Sequence, residues 1–255
     1  MDPLSCAIET ARAAGEVLLA RVGLPLETQT KGKRGDLVTA ADRASEALIV
    51  ERLRAAFPHA TILGEEGGIT TGTSDERWIV DPLDGTTNYA HGYPLYCVSI
   101  AYERAGELQA AAIYVPALGE MYAAERGGGA TLNGERMRTT AVGRVADAMV
   151  CTGFKPADYD RNAAHFGALS RVAQAVRRDG SAATDLAFVA AGRFDAFWEF
   201  DLAAWDVAAG ALLVREAGGV VAAIGGTPFT VDGNSILACN AQLAREMTSL
   251  LGALG

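Results

Sequence analysis

The chain has 255 residues, half of them hydrophobic, and a formal net charge of −9. That length suits one large domain or two intimately packed lobes with an ample core, and no apolar run approaches the length that spans a bilayer. The negative balance disfavours non-specific nucleic-acid binding. The start of the chain, with Asp2 and Glu9, lacks the basic segment of a secretory signal, so a cytoplasmic location is expected.

Cys6, Cys97, Cys151 and Cys239 are scattered, with no Cys-x-x-Cys spacing, and read as small buried residues rather than a zinc or redox site. The three histidines lie far apart, which argues against a histidine metal cluster. Only His91 falls near the central motif.

Taken in order, residues 3 to 22 carry Leu4, Ile8, Ala11, Val17 and Leu18 as a helical stripe, with Pro25 beyond its end. Residues 30 to 36 form a basic, glycine-rich loop. Asp36 or Thr39 caps a second helix, in which Leu48, Val50, Leu53 and Phe57 supply apolar positions and Pro58 stops the run. Asp42 falls in its first turn, where a carboxylate suits the helix dipole. Thr61-Ile62-Leu63-Gly64 is a short strand ending in Glu65-Glu66-Gly67-Gly68, and 69 to 77 read as a polar loop.

The stretch from Trp78 organises the rest. The apolar run Trp78-Ile79-Val80 predicts a buried strand that delivers Asp81 at its end. Pro82 has no backbone N–H, so the chain is expected to turn there. Asp84-Gly85 is a turn dipeptide, and Thr86, Thr87 and Asn88 are helix-capping types. Two carboxylates three residues apart thus face free backbone N–H groups. Carboxylate oxygens suit hard divalent cations such as Mg²⁺, and helix N-termini suit phosphate. Glu65 repeats the same layout. Were the two strands parallel neighbours, Glu65 and Asp81 would meet.

From Tyr96 the chain is β-rich, with strands expected at 96–104, 107–115 and 119–125. Gly127-Gly128-Gly129 lacks the lysine and spacing of a phosphate-binding loop and reads as a turn. Asn133-Gly134 predicts a tight hairpin. A soft lobe boundary falls near 140–147. Beyond it alternation returns: a strand at 148–153, a helix at 161–175, a Gly180-Ser181 step into a helix ending at Ala191, and a strand at 194–200 carrying Glu199. Trp205-Asp206 opens a helix over 207–217. Strands at 219–223 and 235–239 and a last helix from 241 complete the chain.

Each acid has an ordinary explanation when taken alone: a capped turn, a solvated pair, a first-turn aspartate. Together, Gly64-Glu65-Glu66, the run Trp78-Ile79-Val80-Asp81-Pro82-Leu83-Asp84-Gly85-Thr86-Thr87-Asn88, and Trp205-Asp206-Val207-Ala208-Ala209-Gly210 with Glu216-Ala217-Gly218-Gly219 resemble the inositol monophosphatase family, in the metal-dependent, lithium-sensitive phosphatase superfamily. Asp36-Leu37-Val38-Thr39 with Asp42 also fits. The likeness covers roughly residues 31 to 240.

The resemblance implies a single α/β domain over 1–255, an alternating α/β/α/β/α sandwich. It implies Mg²⁺-dependent hydrolysis of a small phosphate monoester (with Mn²⁺ an alternative cation), a homodimer, and no nucleic-acid or membrane partner. By that likeness one metal is held by Glu65, Asp81 and the Leu83 carbonyl, a second by Asp81, Asp84 and Asp206, and a third site lies near Glu65 and Glu66. Thr86, partnered by Asp42 and helped by Glu65, orients or deprotonates the attacking water. Gly85 and Thr86 N–H groups hold the phosphate, Asp84 and Asp206 flank the leaving oxygen, Gly180, Ser181 and Ala182 line the sugar side, and Glu199 accepts ring hydroxyls. Inositol 1-phosphate is the expected substrate.

Fructose 1,6-bisphosphate, histidinol phosphate, 3′-phosphoadenosine 5′-phosphate and NADP are the alternatives on the same scaffold. The segment 199–205 carries no basic residue for a second phosphate. A haloacid-dehalogenase-type enzyme would place one residue, not two, between its aspartates. An idle binding protein would have lost a metal carboxylate, and none is missing.

Overall fold

The computed structural model describes residues 1–23, 29–30, 37–154 and 159–253. The first half of the chain runs α1 (Pro3–Leu19), β1 (Gln29–Thr30), β2 (Leu37–Val38), α2 (Ala40–Ala56), β3 (Thr61–Gly64), β4 (Gly68–Thr70), β5 (Glu76–Asp84), a short α3 (Thr86–Ala90), β6 (Cys97–Arg104), β7 (Glu107–Val115), β8 (Glu120–Glu125), β9 (Gly129–Leu132) and β10 (Glu135–Arg136). The second half runs β11 (Met149–Thr152), α4 (Tyr159–Val172), β12 (Ala175–Arg177), α5 (Ala182–Ala190), β13 (Ala196–Phe200), α6 (Ala204–Glu216), β14 (Val220–Ala222), β15 (Ser235–Cys239) and α7 (Ala244–Gly252).

Beside the β1–β2 pair, the strands form two sheets. The larger has the order β10-β9-β8-β7-β6-β5-β3-β4 and the smaller the order β12-β11-β13-β15-β14. Neighbours in the larger sheet are antiparallel except β3 and β5, which run parallel with Gly64 opposite Val80.

The layering follows from the two-residue period of a strand, which sends successive side chains to opposite faces. Along β5 and β6, Trp78, Val80, Val98 and Ile100 pack toward α1 and α2, whereas Ile79, Cys97 and Ala101 pack toward α5 and α6. Along β13, Phe197 joins the α5–α6 layer while Ala196 and Trp198 face Leu169 of α4 and Met247 and Leu251 of α7. Each sheet is therefore covered on both faces. Helix and sheet layers alternate α/β/α/β/α, as the family resemblance implies. The wholly buried α5 belongs in the middle layer because both its sides meet a sheet. No helix among the described residues is long and apolar enough to cross a membrane.

Most elements fall within a few residues of expectation, and β3, β7 and β15 match to the residue or within the stated range. Asn133 and Gly134 both have positive φ (50° and 88°) between the paired residues Leu132 and Glu135, the tight hairpin the dipeptide predicts. Thr39 caps α2. The Asp36 alternative and the basic stretch 31–36 lie outside the described residues.

Three expectations are corrected. The polar loop at 69–77 contains edge strand β4 and the first residues of β5; β4 is held by backbone pairing, and Ile69 is mostly exposed, so no apolar alternation marks it. The turn expected at Pro82 does not occur there: β5 continues to Asp84 through a bulge. A short edge strand, β12, follows α4, where a longer helix was expected.

Phe197 is fully buried between sheet and helices. Phe197→Ala should cost about 3–5 kcal/mol through lost contact and a residual cavity. A urea unfolding curve with an unchanged midpoint would show that the middle layer is not packed as described.

Candidate active site

The site begins with the bulge. In a regular strand, residues 81 and 84 would point to opposite faces. Here Asp81 pairs with Ser99 and Asp84 with Cys97, so Pro82 and Leu83 together face only Val98. The extra residue re-aims the strand and brings both carboxylates to one side. Pro82 is tolerated because a bulged position need not donate to the ladder. Gly85 then takes φ +90°, and a Cβ there would lie 3.0 Å from the Leu95 carbonyl oxygen. Glycine is what lets α3 start at once.

Asp206 comes from the other side, at the third position of α6. Its Oδ2 accepts the Ala203 N–H at 2.7 Å, an acid closing its own helix start. Asp81, Asp84 and Asp206 each offer a carboxylate oxygen within 4.8 Å of the others. Glu65 follows β3, whose parallel register with β5 sets it beside Asp81. It lines the same cavity, outside that tightest trio. Glu66 does not line this cavity; it borders a neighbouring depression with Arg43 and Glu46.

Most of these acids have an oxygen fixed by a hydrogen bond. Asp81 Oδ1 accepts the Leu83 N–H at 2.9 Å. Asp84 Oδ2 accepts Ser181 Oγ–H and the Ala183 N–H, both at 2.7 Å. Asp42, fully buried at the third position of α2, accepts the Thr39 N–H with Oδ2 at 2.8 Å and the Thr86 hydroxyl with Oδ1 at 3.2 Å. It is thus a helix cap and a partner of Thr86 together.

Burial drives Asp81 well above the usual carboxylate range, and the charges of Glu65, Asp84 and Asp206 push further the same way. Burial raises Asp84 to about 6, although the hydrogen bonds from Ser181 and Ala183 oppose it. Such a donor set, all hard oxygens with mutually repelling charges, fits one or more divalent cations.

The cavity measures about 360 Å³. Gly85 and Thr86 lie on the side of the aspartates, and Gly180, Ser181, Ala182 and Glu199 line it from the second sheet and α5. Glu199 presses on Gly153, where a Cβ would stand 2.4 Å from its Oε2. Asn88 donates from Nδ2 to the Leu95 carbonyl (2.6 Å) and the Asp179 carbonyl (2.7 Å), tying α3 to the loop before Gly180. His91 is exposed and does not line the cavity.

Gly153, Phe154, Arg178 and Asp185 also line the cavity and were not singled out from the sequence. Arg178 stacks 4.4 Å from the centre of the Phe154 ring and donates to the Phe154 carbonyl. Asp185 is buried, and its Oδ1 has no hydrogen-bond partner among the described residues. Burial, then the charges of Asp179, Glu199 and Asp84, push its carboxyl well up. A lone acid inside the apolar run 182–191 was the available signal.

Residues 2–253 match the sequence model of the inositol monophosphatase family. The chain is 46% identical to an inositol-1-monophosphatase of Rhizobium meliloti over 94% of its own length and 90% of the relative's. It is 41% identical to the Nus factor SuhB of Pseudomonas aeruginosa over 98% and 96% of the two chains. Its structure is similar to that of the extragenic suppressor protein suhB from Bartonella henselae, with a TM-score of 0.93, 38% identity and 97% of each chain covered.

The raised Asp84 has a consequence for stability. Its carboxyl titrates at about 6 when folded, against an ordinary value of 3.8. Between those values the folded chain holds more protons than the unfolded one, so the penalty is absent below the lower value and complete above the higher. Asp84→Asn removes the charge and keeps an acceptor for Ser181 and Ala183. In EDTA the variant should melt several degrees above the wild type at about pH 7.5, with the gap shrinking toward about pH 5. Equal melting temperatures at both pH values would refute this.

Proposed function

The chain belongs to the inositol monophosphatase family, and on that premise we propose that it is a Mg²⁺-dependent phosphate monoester hydrolase acting on inositol 1-phosphate. The observation that carries the reading is the convergence of Asp81, Asp84 and Asp206, with ligand oxygens within 4.8 Å, in the cavity that Thr86 and Glu199 also line.

In this reading Glu65, Asp81 and the Leu83 carbonyl would hold one cation and Asp81, Asp84 and Asp206 a second; a weaker third place near Glu65 and Glu66 would lie toward the edge of the cavity, since Glu66 does not line it. When bound, the cations supply Lewis-acid polarisation of the phosphate and acidify water. Water attacks phosphorus in line, its oxygen forming the new P–O bond as the bond to the alcohol oxygen breaks. No covalent phospho-enzyme is required. The Thr86 hydroxyl donates to Asp42, which turns its lone pairs toward the water. Glu65 and the Thr86–Asp42 pair accept the proton that the water loses. N–H groups of Gly85 and Thr86 hold phosphate oxygens. Asp206 and Asp84 flank the departing oxygen, which takes a proton from a solvent water as the P–O bond breaks and leaves as the alcohol.

Gly180, Ser181 and Ala182 form the side facing the alcohol, and Glu199 accepts its hydroxyls. A carboxylate buried on the wall that faces the alcohol favours substrates that bring hydroxyl donors to it. The support for a polyol is the near-complete burial of Glu199 on the cavity wall. The homodimer belongs to the same reading.

The test is phosphate release from inositol 1-phosphate, fructose 1,6-bisphosphate, histidinol phosphate, 3′-phosphoadenosine 5′-phosphate and NADP, with Mg²⁺ and with EDTA. Inositol 1-phosphate should be turned over fastest, and EDTA should abolish release. A different preferred substrate would replace the proposed one, and turnover undiminished by EDTA would sink the metal mechanism.

Two variants separate the roles. Thr86→Ala should lower kcat on every substrate by about 10²–10⁴, the usual worth of a positioned proton-transfer group. Glu199→Gln should lower kcat/KM for inositol 1-phosphate by about ten-fold or more, roughly 1.4 kcal/mol of transition-state binding, while an aryl phosphate without ring hydroxyls changes little. An equal loss on both substrates would remove Glu199 from the recognition of hydroxyls.

A further inference from the structure

One face of α2 is polar where a core helix should be apolar. Asp42, Ser45 and Glu46 have the i, i+3, i+4 spacing that shares a helix face. All three are buried, Glu46 with 6% of its surface exposed. Burying such groups is costly unless each is bonded, and each is bonded to a different piece of the active-site wall. Asp42 accepts from Thr86, and Ser45 Oγ donates to the Pro82 carbonyl at 2.8 Å, inside the bulge. Glu46 reaches the other acidic loop. Its Oε2 accepts the Glu66 N–H at 2.8 Å and its Oε1 the Gly67 N–H at 2.7 Å.

The two glycines of that loop are cut to this carboxylate. A Cβ at Gly64 or at Gly67 would each stand 2.6 Å from Glu46 Oε1. The segment Gly64-Glu65-Glu66-Gly67 is thus pinned immediately after Glu65 by two hydrogen bonds to a charged acceptor, stronger than neutral ones. Nothing in the pairing of β3 with β4 requires a buried carboxylate there, since that ladder closes through backbone alone.

We propose that Glu46 is a positioning residue: by clamping the Glu66 and Gly67 N–H groups it fixes the Glu65 carboxylate and so sets the divalent-cation affinity of the site that Glu65 completes. This rests on the reading of Glu65 as a metal ligand. Glu46 lies outside the cavity that Glu65, Asp81, Asp84 and Asp206 line. Ser45 and Asp42 hold the opposite loop from the same helix, so α2 sets the separation between the two acidic loops as a rigid spacer.

The test is Mn²⁺ binding to the full chain, followed by titration calorimetry and by the electron paramagnetic resonance of free Mn²⁺, on wild type, Glu46→Gln, Gly67→Ala and Glu65→Gln. Gln at 46 keeps one acceptor and turns an amide toward the second N–H. Gly67→Ala leaves Glu46 in place and forces the clamp apart from the exposed side of the loop. Both should weaken one class of Mn²⁺ site by about 10–100-fold, as loss of an outer partner to a ligand does, and leave the other class within two-fold. Glu65→Gln should remove the same class. In turnover, half-saturating Mg²⁺ should rise by a larger factor than kcat falls. A residue important only for folding would lower the melting temperature without moving the isotherm.

Isotherms of Glu46→Gln and Gly67→Ala that both match wild type, with Glu65→Gln altered, would overturn the role of Glu46 and leave the metal reading intact. Unaltered binding in Glu65→Gln, or none in wild type, would overturn the metal reading and the proposal with it. Should Glu46→Gln fail to fold, Gly67→Ala decides alone.

Discussion

Asp81, Asp84 and Asp206 present oxygens within 4.8 Å of one another, and Asp81 and Asp84 are almost wholly withdrawn from water. Repulsion at that range is severe, because a low-dielectric surround weakens charge screening and removes the hydration that stabilises each carboxylate. A fold that keeps such an arrangement must hold its acids by other means. The rise of both carboxyls above their ordinary range expresses the strain, and a multivalent cation would relieve it.

The means are local and repeated. Asp42 and Asp206 each occupy the third position of a helix and accept the N–H of the residue just before it. Asp81 accepts from the backbone two residues on, and Asp84 from Ser181 and Ala183. Each of these bonds fixes one carboxylate oxygen. The rotamer of the acid is then set by the start of a helix or the turn of a strand, elements stabilised in turn by the buried layers behind them. An explanation in terms of helix capping and one in terms of chemistry are therefore the same explanation. The functional acids stand where the backbone supplies donors.

Those layers also decide which loops meet. The parallel pairing of β3 with β5 puts Glu65 beside Asp81. The middle layer of α5 and α6 brings Ser181 and Asp206 to the ends of strands from the other sheet. Asn88 and Asp84 then bond across, so that the acidic wall and the wall that carries Gly180 and Ser181 share hydrogen bonds rather than merely face one another. The cavity exists because two covered sheets end at the same edge of a shared helix layer.

The residues themselves carried much of this. The apolar runs ending in acids located Glu65, Asp81 and Asp84, and apolar alternation with Gly and Pro punctuation placed most strands and helices, because burial on one face leaves a period that sequence shows directly. Sequence could not show the edge strands β4 and β12, which are held by backbone bonds and bury little. It misjudged Pro82 because a bulge, which depends on the partner strand, excuses a missing N–H. It left Ser45, Glu46, Gly153 and Asp185 unremarked, since a polar side chain buried against a distant loop looks the same in one dimension as one facing water. What the sequence alone determined was the set of acids, the layered α/β class and the family they resemble; which oxygens converge, and what pins them, only the tertiary structure decided, because bulge, register and helix placement are set by contacts between segments far apart in the chain.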